Sequence, residues 1–157
     1  MAQILLLTGT VTGNADRLSD SIQQRLEAAG YEVIRPEIPD YRHFEESPDA
    51  VLVCTATTGH GDLPEELAFV FGLLDRRPPR AMAGTPYGVL GLGDRSYQDS
   101  FCAAAETADS FLEGIGGYRL QPALLINTPD HAEEGLEKPV LAWLDDWLEL
   151  LAKQDEA

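Results

Sequence analysis

The chain has 157 residues, 44% of them hydrophobic, and a formal net charge of −16 at pH 7. That length and apolar fraction suit one globular domain with a real core. The acidic balance speaks against nucleic acid and against anionic membrane surfaces, both of which call for a basic footprint.

One domain is expected over 1–152, with 153–157 as a short tail. No Ser, Gly or Pro-rich linker divides the chain, and no internal repeat or low-complexity tract is visible. The apolar run Ile4-Leu5-Leu6-Leu7 lacks a basic leader and is too short for a secretory or membrane segment. Cys54 and Cys102 are too few for a disulfide framework. Both sit among apolar or small residues, so they are read as inert buried thiols in a cytoplasmic protein.

Gln3 to Thr8 is a strand-length apolar run without polar alternation, the pattern of a strand buried on both faces. Ala15, Leu18, Ile22, Leu26 and Ala29 then fall on one helical face, with Gly30 as a stop. Glu32 to Arg35 reads as a second strand. Pro36 to Pro48 is irregular, with one helical turn around Tyr41 to Glu45.

Ala50 to Thr55 is a third buried strand. Asp62-Leu63-Pro64-Glu65 predicts a helix start, with Asp62 as N-cap and Glu65 completing a capping box. Leu67, Val70, Phe71 and Leu74 mark its buried face, and Arg76, Arg77 and Arg80 gather at its C-terminal end, where the helix dipole favours cations. Pro86 to Leu92 is a fourth strand. The next helix carries Phe101, Ala104, Ala108, Phe111 and Leu112, and ends at Gly116-Gly117. Arg119 to Ile126 is a fifth strand that Pro122 can interrupt. Pro139 opens the last helix, whose Trp143 and Trp147 are read as core packing.

This alternation predicts an α/β fold: a parallel sheet covered by helices on both sides. Ligands in such sheets bind beyond the carboxyl ends of the strands, where strand order reverses. Three suggestive loops follow strands one, three and four. Thr8-Gly9-Thr10-Val11-Thr12-Gly13-Asn14 leads straight into a helix and has no Lys or Arg. It can hold an anion with backbone N–H groups, hydroxyls and the helix N-terminus alone. It is neither a Walker A loop nor a G-x-G-x-x-G. Ala56-Thr57-Thr58-Gly59-His60-Gly61-Asp62 has two glycines that allow close approach of a flat ligand. Gly91-Leu92-Gly93-Asp94-Arg95-Ser96-Tyr97 presents one aromatic suited to stacking.

Taken together, these three loops resemble those of the short-chain flavodoxins and of the FMN domains of diflavin reductases, over nearly the whole chain. The resemblance implies a three-layer α/β/α sandwich with a five-stranded parallel sheet of order 2-1-3-4-5. It also implies FMN as cofactor and one-electron carriage. Thr10, Val11, Thr12, Gly13, Asn14 and Ala15 would hold the phosphate. Thr57, Thr58, Gly59, His60 and Gly61 would line the flavin ring. Gly93, Asp94, Tyr97 and Phe101 would close the other side, with Tyr97 stacked on the ring. The implied function is a low-potential carrier between a reductase, such as an NADPH-dependent flavodoxin reductase, and an acceptor enzyme. The alternative is an accessory protein dedicated to one biosynthetic enzyme.

No nucleophile elbow and no metal-ligand spacing is present, so no catalytic residue and no metal are expected, and the resemblance implies an electron-transfer protein rather than an enzyme. A phospho-acceptor receiver domain shares the sheet plan. It would need an Asp ending strand three and a Lys ending strand five, where Thr55-Ala56 and Ile126-Asn127 stand instead. The expected cofactor edge carries Asp16, Asp62, Glu65, Glu66, Asp94, Asp99, Asp130, Glu133 and Glu134 against Arg17 and Arg95. Such a rim favours an acceptor with a basic docking face. A monomer is expected, with no nucleic acid and no membrane among its partners. His60 is expected to titrate near the ring, and His43 and His131 to be isolated surface residues.

Overall fold

The computed structural model describes residues 2–10, 13–57, 62–94, 102–131 and 135–156. In chain order the elements are β1 (Gln3–Gly9), α1 (Asn14–Ala28), β2 (Glu32–Ile34), α2 (Tyr41–Glu45), β3 (Ala50–Ala56), α3 (Glu65–Arg76), β4 (Pro86–Gly93), α4 (Ala103–Gly114), β5 (Tyr118–Arg119), β6 (Leu124–Asn127) and α5 (Glu137–Glu156). Short 3-10 turns at Arg80–Met82 and Thr128–His131 complete the described elements.

The sheet has the order β2-β1-β3-β4-β5, all neighbours parallel, with β6 also on β4. The alternation along each central strand decides which helices it meets. Ile4 and Leu6 of β1, with Leu52 and Cys54 of β3, face a core shared with Leu18, Ile22 and Leu26 of α1 and Val140, Leu144 and Trp147 of α5. Leu5, Leu7, Val51 and Val53 face the opposite core, with Phe44 of α2, Leu67, Val70 and Leu74 of α3, and Ala108 and Leu112 of α4. Every one of these strand residues is at most 1% exposed, as strands covered on both faces require. Fully burying one Leu or Ile stabilises by about 1.5–3 kcal/mol, so the central strands anchor both layers.

Helix α1 ends as its sequence predicts. Gly30 adopts φ +94°, and the Tyr31 N–H reaches back to the Leu26 carbonyl at 3.1 Å, a Schellman closure. Two helix starts differ from expectation. Pro64, with ψ 148°, is the N-cap of α3, and its carbonyl accepts the Leu67 and Ala68 N–H groups at 3.0 Å. Asp62 therefore lies two residues outside the helix, and no side-chain cap bond forms. Pro64 stays extended, so the helix begins at Glu65 rather than at Leu63, where an Asp62 cap would have started it. Helix α5 begins at Glu137, which leaves Pro139 inside the first turn, where its missing N–H costs nothing. The same helix continues through Lys153 to Glu156, into the segment expected as a tail, and Lys153 Nζ sits 3.6 Å from Glu149 Oε1 one turn back.

The fifth strand is in two pieces. Tyr87 pairs with Arg119 and Leu90 with Leu124, so the outer chain carries two extra residues around Pro122. Trp143 absorbs that bulge. Trp143 Nε1–H donates to the Pro122 carbonyl at 3.0 Å, and the Gln121 side chain donates to the Trp143 carbonyl at 2.9 Å. A Cβ at Gly88 would stand 2.6 Å from both indoles, so only glycine lets them lie on β4. His43 is not an isolated surface residue: its Nδ1 accepts the Asp40 N–H at 3.0 Å and closes the first turn of α2. Cys54 and Cys102 are both buried.

Candidate functional site

Strand order reverses between β1 and β3, because the chain leaves β1 toward β2 and returns on the other side. The loops leaving those two strands therefore diverge and open a crevice at the carboxyl edge of the sheet. The registers pair Gly9 with Thr55 and Ala56 with Leu92, so β1, β3 and β4 finish close to level.

The β1–α1 turn is tightly built. Gly13 is left-handed at φ +91° and ψ −7°, and Asn14 follows at once as the first residue of α1. A left-handed residue before a right-handed one turns successive N–H groups toward one concave side, and the first N–H groups of α1 have no partner in their own helix. Thr10 Oγ1 accepts the Gly13 N–H at 2.8 Å. The Thr8 hydroxyl donates to Ser19 Oγ at 2.7 Å and ties the strand end to α1. Ala15 is buried, and its carbonyl lies 3.8 Å from Cys54 Sγ. Burial pushes that thiol from 9.0 up to about 12, against the smaller opposing effects of Ser19 and Arg35, so it is an inert part of the wall.

A cation stands at this turn although the loop itself has none. Arg17, on the first turn of α1, donates through Nη2 to Asn14 Oδ1. Its Nη1 is 3.6 Å from where a Cβ of Gly13 would be. An anion in the turn is thus not limited to N–H groups and hydroxyls. The i, i+3 spacing of Asn14 and Arg17 on a helix was the available signal. A second cation also reaches this edge. Arg35, just after β2, bonds Asp16 at 2.8 Å and Asp20 at 2.6 Å, so the acidic rim is partly neutralised within the chain.

Gly9 joins this turn to the next. A Cβ there would stand 2.6 Å from Leu67 Cδ1, 2.7 Å from Thr55 Oγ1 and 2.9 Å from Pro64 Cγ. Its bareness lets the start of α3 close over the end of β1, which brings Glu66 Oε1 to 3.4 Å from the Thr10 backbone nitrogen. At the end of β3 the Thr55 hydroxyl bonds the Ala56 carbonyl at 2.8 Å, but Thr57 Oγ1 is buried with no hydrogen-bond partner. Leaving a buried hydroxyl unpaired costs about 1–3 kcal/mol, so this atom suits a ligand that pairs with it.

Of the residues expected to form the site, Thr10, Gly13, Asn14 and Ala15 come together at the β1–α1 turn. Thr57 stands at the end of β3, and Gly93 and Asp94 at the end of β4, both half-buried. Val11, Thr12, Thr58, Gly59, His60, Gly61, Tyr97 and Phe101 lie outside the described residues, as do Arg95, Asp99, Glu133 and Glu134. A groove of about 640 Å³ opens beside the turn, lined by Asn14, Arg17, Thr128, His131 and Glu137 among others. No cluster of potential metal ligands occurs among the described residues, and no described helix is long and apolar enough to cross a membrane.

A doubly wound parallel sheet with an anion-ready turn after its first strand and an orphaned hydroxyl after its third defines an α/β domain with a site suited to an anionic ligand at its switch point. Comparison with known proteins makes this specific. The flavodoxin family model matches residues 6–143. Flavodoxin YqcA of Pectobacterium carotovorum is 34% identical over 158 residues, covering 98% of this chain and 100% of that protein. The sulfite reductase [NADPH] flavoprotein alpha-component of Neisseria meningitidis is 36% identical over 118 residues, 74% of this chain but 19% of that longer protein. Among solved structures, a point mutant of flavodoxin from Pseudomonas aeruginosa superposes with a TM-score of 0.87 at 29% identity, covering 96% of this chain and 99% of that one. The chain belongs to the flavodoxin family. Its cofactor is accordingly FMN, and it is an electron-transfer protein rather than an enzyme with a substrate of its own.

Proposed function

We propose that the protein is a low-potential one-electron carrier that passes electrons from a reductase to an acceptor enzyme in the cytoplasm. One observation carries the reading. The preformed turn at Gly13 and the unpartnered Thr57 hydroxyl flank the point where strand order reverses. FMN supplies the redox chemistry when bound. The chain's own residues bind and orient it. Thr10, Val11, Thr12, Gly13, Asn14 and Ala15 hold the phosphate. Thr57, Thr58, Gly59, His60 and Gly61 line the ring, and Thr57 Oγ1 gives its unused hydrogen bond to a polar atom there. Gly93, Asp94, Tyr97 and Phe101 would close the remaining side, with Tyr97 as the expected stacking partner of the ring.

The carboxylates at this edge support a low potential, since negative charge near the ring opposes further reduction. They also support partners with basic docking faces, steered into contact by that charge. An NADPH-dependent flavodoxin reductase or similar donor fits the name of the Neisseria relative. The test is stepwise reduction of the FMN-loaded protein, followed by absorbance against a reference dye. The reading expects two separate one-electron steps, the second at lower potential than in free FMN. A single two-electron step, or an apoprotein that refuses FMN, overturns it.

A further inference from the structure

We propose that Arg17 is a binding residue for the phosphate of the cofactor, and the residue that sets the preference for FMN over unphosphorylated riboflavin. This rests on the FMN reading above. The turn expected to hold the phosphate contains no Lys or Arg of its own. The guanidinium is brought there by the helix: Arg17 N–H donates to the Gly13 carbonyl at 3.1 Å, so the residue sits one turn after the left-handed glycine. Its side chain folds back along the helix rather than outward, with Nη2 on Asn14 Oδ1 and Nη1 3.6 Å from the open side of Gly13.

Two consequences follow from the chemistry of these groups. An arginine only donates, so the Asn14 atom it touches is the oxygen, and the Asn14 amide NH2 is left to donate elsewhere. Arg17 thereby orients a second donor of the same turn. The other described arginines near this edge or on this helix are already engaged: Arg35 with Asp16 and Asp20, Arg25 with Asp145. Arg17 forms no ion pair with a carboxylate among the described residues, although the chain carries 27 Asp and Glu against 11 Lys and Arg. In so acidic a protein, a guanidinium with unused donors beside a concave array of backbone N–H groups matches a dianion. Its planar fork suits phosphate oxygens better than a point charge does.

The experiment titrates FMN and riboflavin separately into the apoprotein, as wild type, Arg17→Gln and Arg17→Lys, at low and high salt. Arg17 is exposed, so both variants keep the fold, and their thermal melts check it. Loss of a charge-assisted hydrogen bond predicts FMN binding weakened about tenfold or more in Arg17→Gln, with riboflavin binding unchanged. Arg17→Lys lies between, and the salt dependence of FMN binding is smaller in Arg17→Gln than in wild type. Unchanged FMN affinity in Arg17→Gln overturns the proposal. So does an equal loss for FMN and riboflavin, which marks a merely structural residue. A wild type that binds neither flavin overturns the FMN reading itself, and the role of Arg17 with it.

Discussion

The turns that follow β1 and β3 lie side by side at one sheet edge, and they are finished to different degrees. After β1, the chain holds its own side chains in place: Thr10 Oγ1 takes the Gly13 N–H, Arg17 holds Asn14, and Thr8 bonds Ser19, while Arg17 and the Asn14 amide keep exposed donors to spare. After β3, Thr57 keeps a buried hydroxyl with no partner. The first turn is positioned by the chain and keeps its spare donors on the surface, whereas the second keeps a buried hydroxyl without a partner. A protein that must hold a phosphate firmly, yet spend binding interactions on the ring where the chemistry occurs, gains from that division.

The comparison breaks most readily at Gly9, which joins the two turns. Gly9→Ala forces a Cβ to within 2.6–2.9 Å of Leu67, Thr55 and Pro64. Overpacking there should cost about 1–3 kcal/mol of stability by denaturant titration, and should weaken FMN binding by moving both turns apart. Thr10→Val and Thr57→Val are isosteric changes of opposite expected sign. Thr10→Val removes the acceptor for the Gly13 N–H and should destabilise the apoprotein by about 1 kcal/mol. Thr57→Val removes an unpaired buried hydroxyl and should stabilise the apoprotein by about 1 kcal/mol while weakening FMN binding. Two apoprotein losses of equal size would mean that Thr57 is as fully satisfied as Thr10.

The smallest effect concerns alkali. The folded-state pKa of Cys54 is raised to about 12, so its contribution to stability is complete below its ordinary 9.0 and is lost as pH rises toward 12. Tyr87 is shifted upward as well, by burial first and by its bond to Asp109 second, and adds to the same alkaline loss. Denaturant midpoints of wild type and Cys54→Ala should converge as pH rises above 9, since only the wild type has this proton to lose.

The order of elements was legible because the central strands are apolar on both faces and the helices carry clear stripes. Gly13, Gly30 and Gly116 all adopt positive φ, and each marks a turn or helix end that its position in the sequence announced. What stayed hidden depends on contacts between distant segments or on one backbone torsion. Asp62 had the composition of a cap, but the extended Pro64 delays the start of α3. Pro122 signalled an interruption of the fifth strand, whereas the tryptophan that satisfies its bulge, Trp143, comes from α5. Arg35 was assigned to a strand end, and its reach to Asp16 and Asp20 depends on how β2 lies against α1. Arg17 was counted among the rim charges, and its fold-back onto Asn14 depends on side-chain torsions that spacing permits but does not dictate.

Backbone amide spectra of the apoprotein during titration with FMN test the site most directly. The account predicts saturable shifts, complete at one equivalent, at Gly13, Asn14 and Ala15 of the first turn and at Thr57 of the second. It also predicts that riboflavin moves Thr57 while moving Gly13 and Asn14 far less. Saturable FMN binding that leaves Gly13, Asn14 and Thr57 unshifted would contradict it.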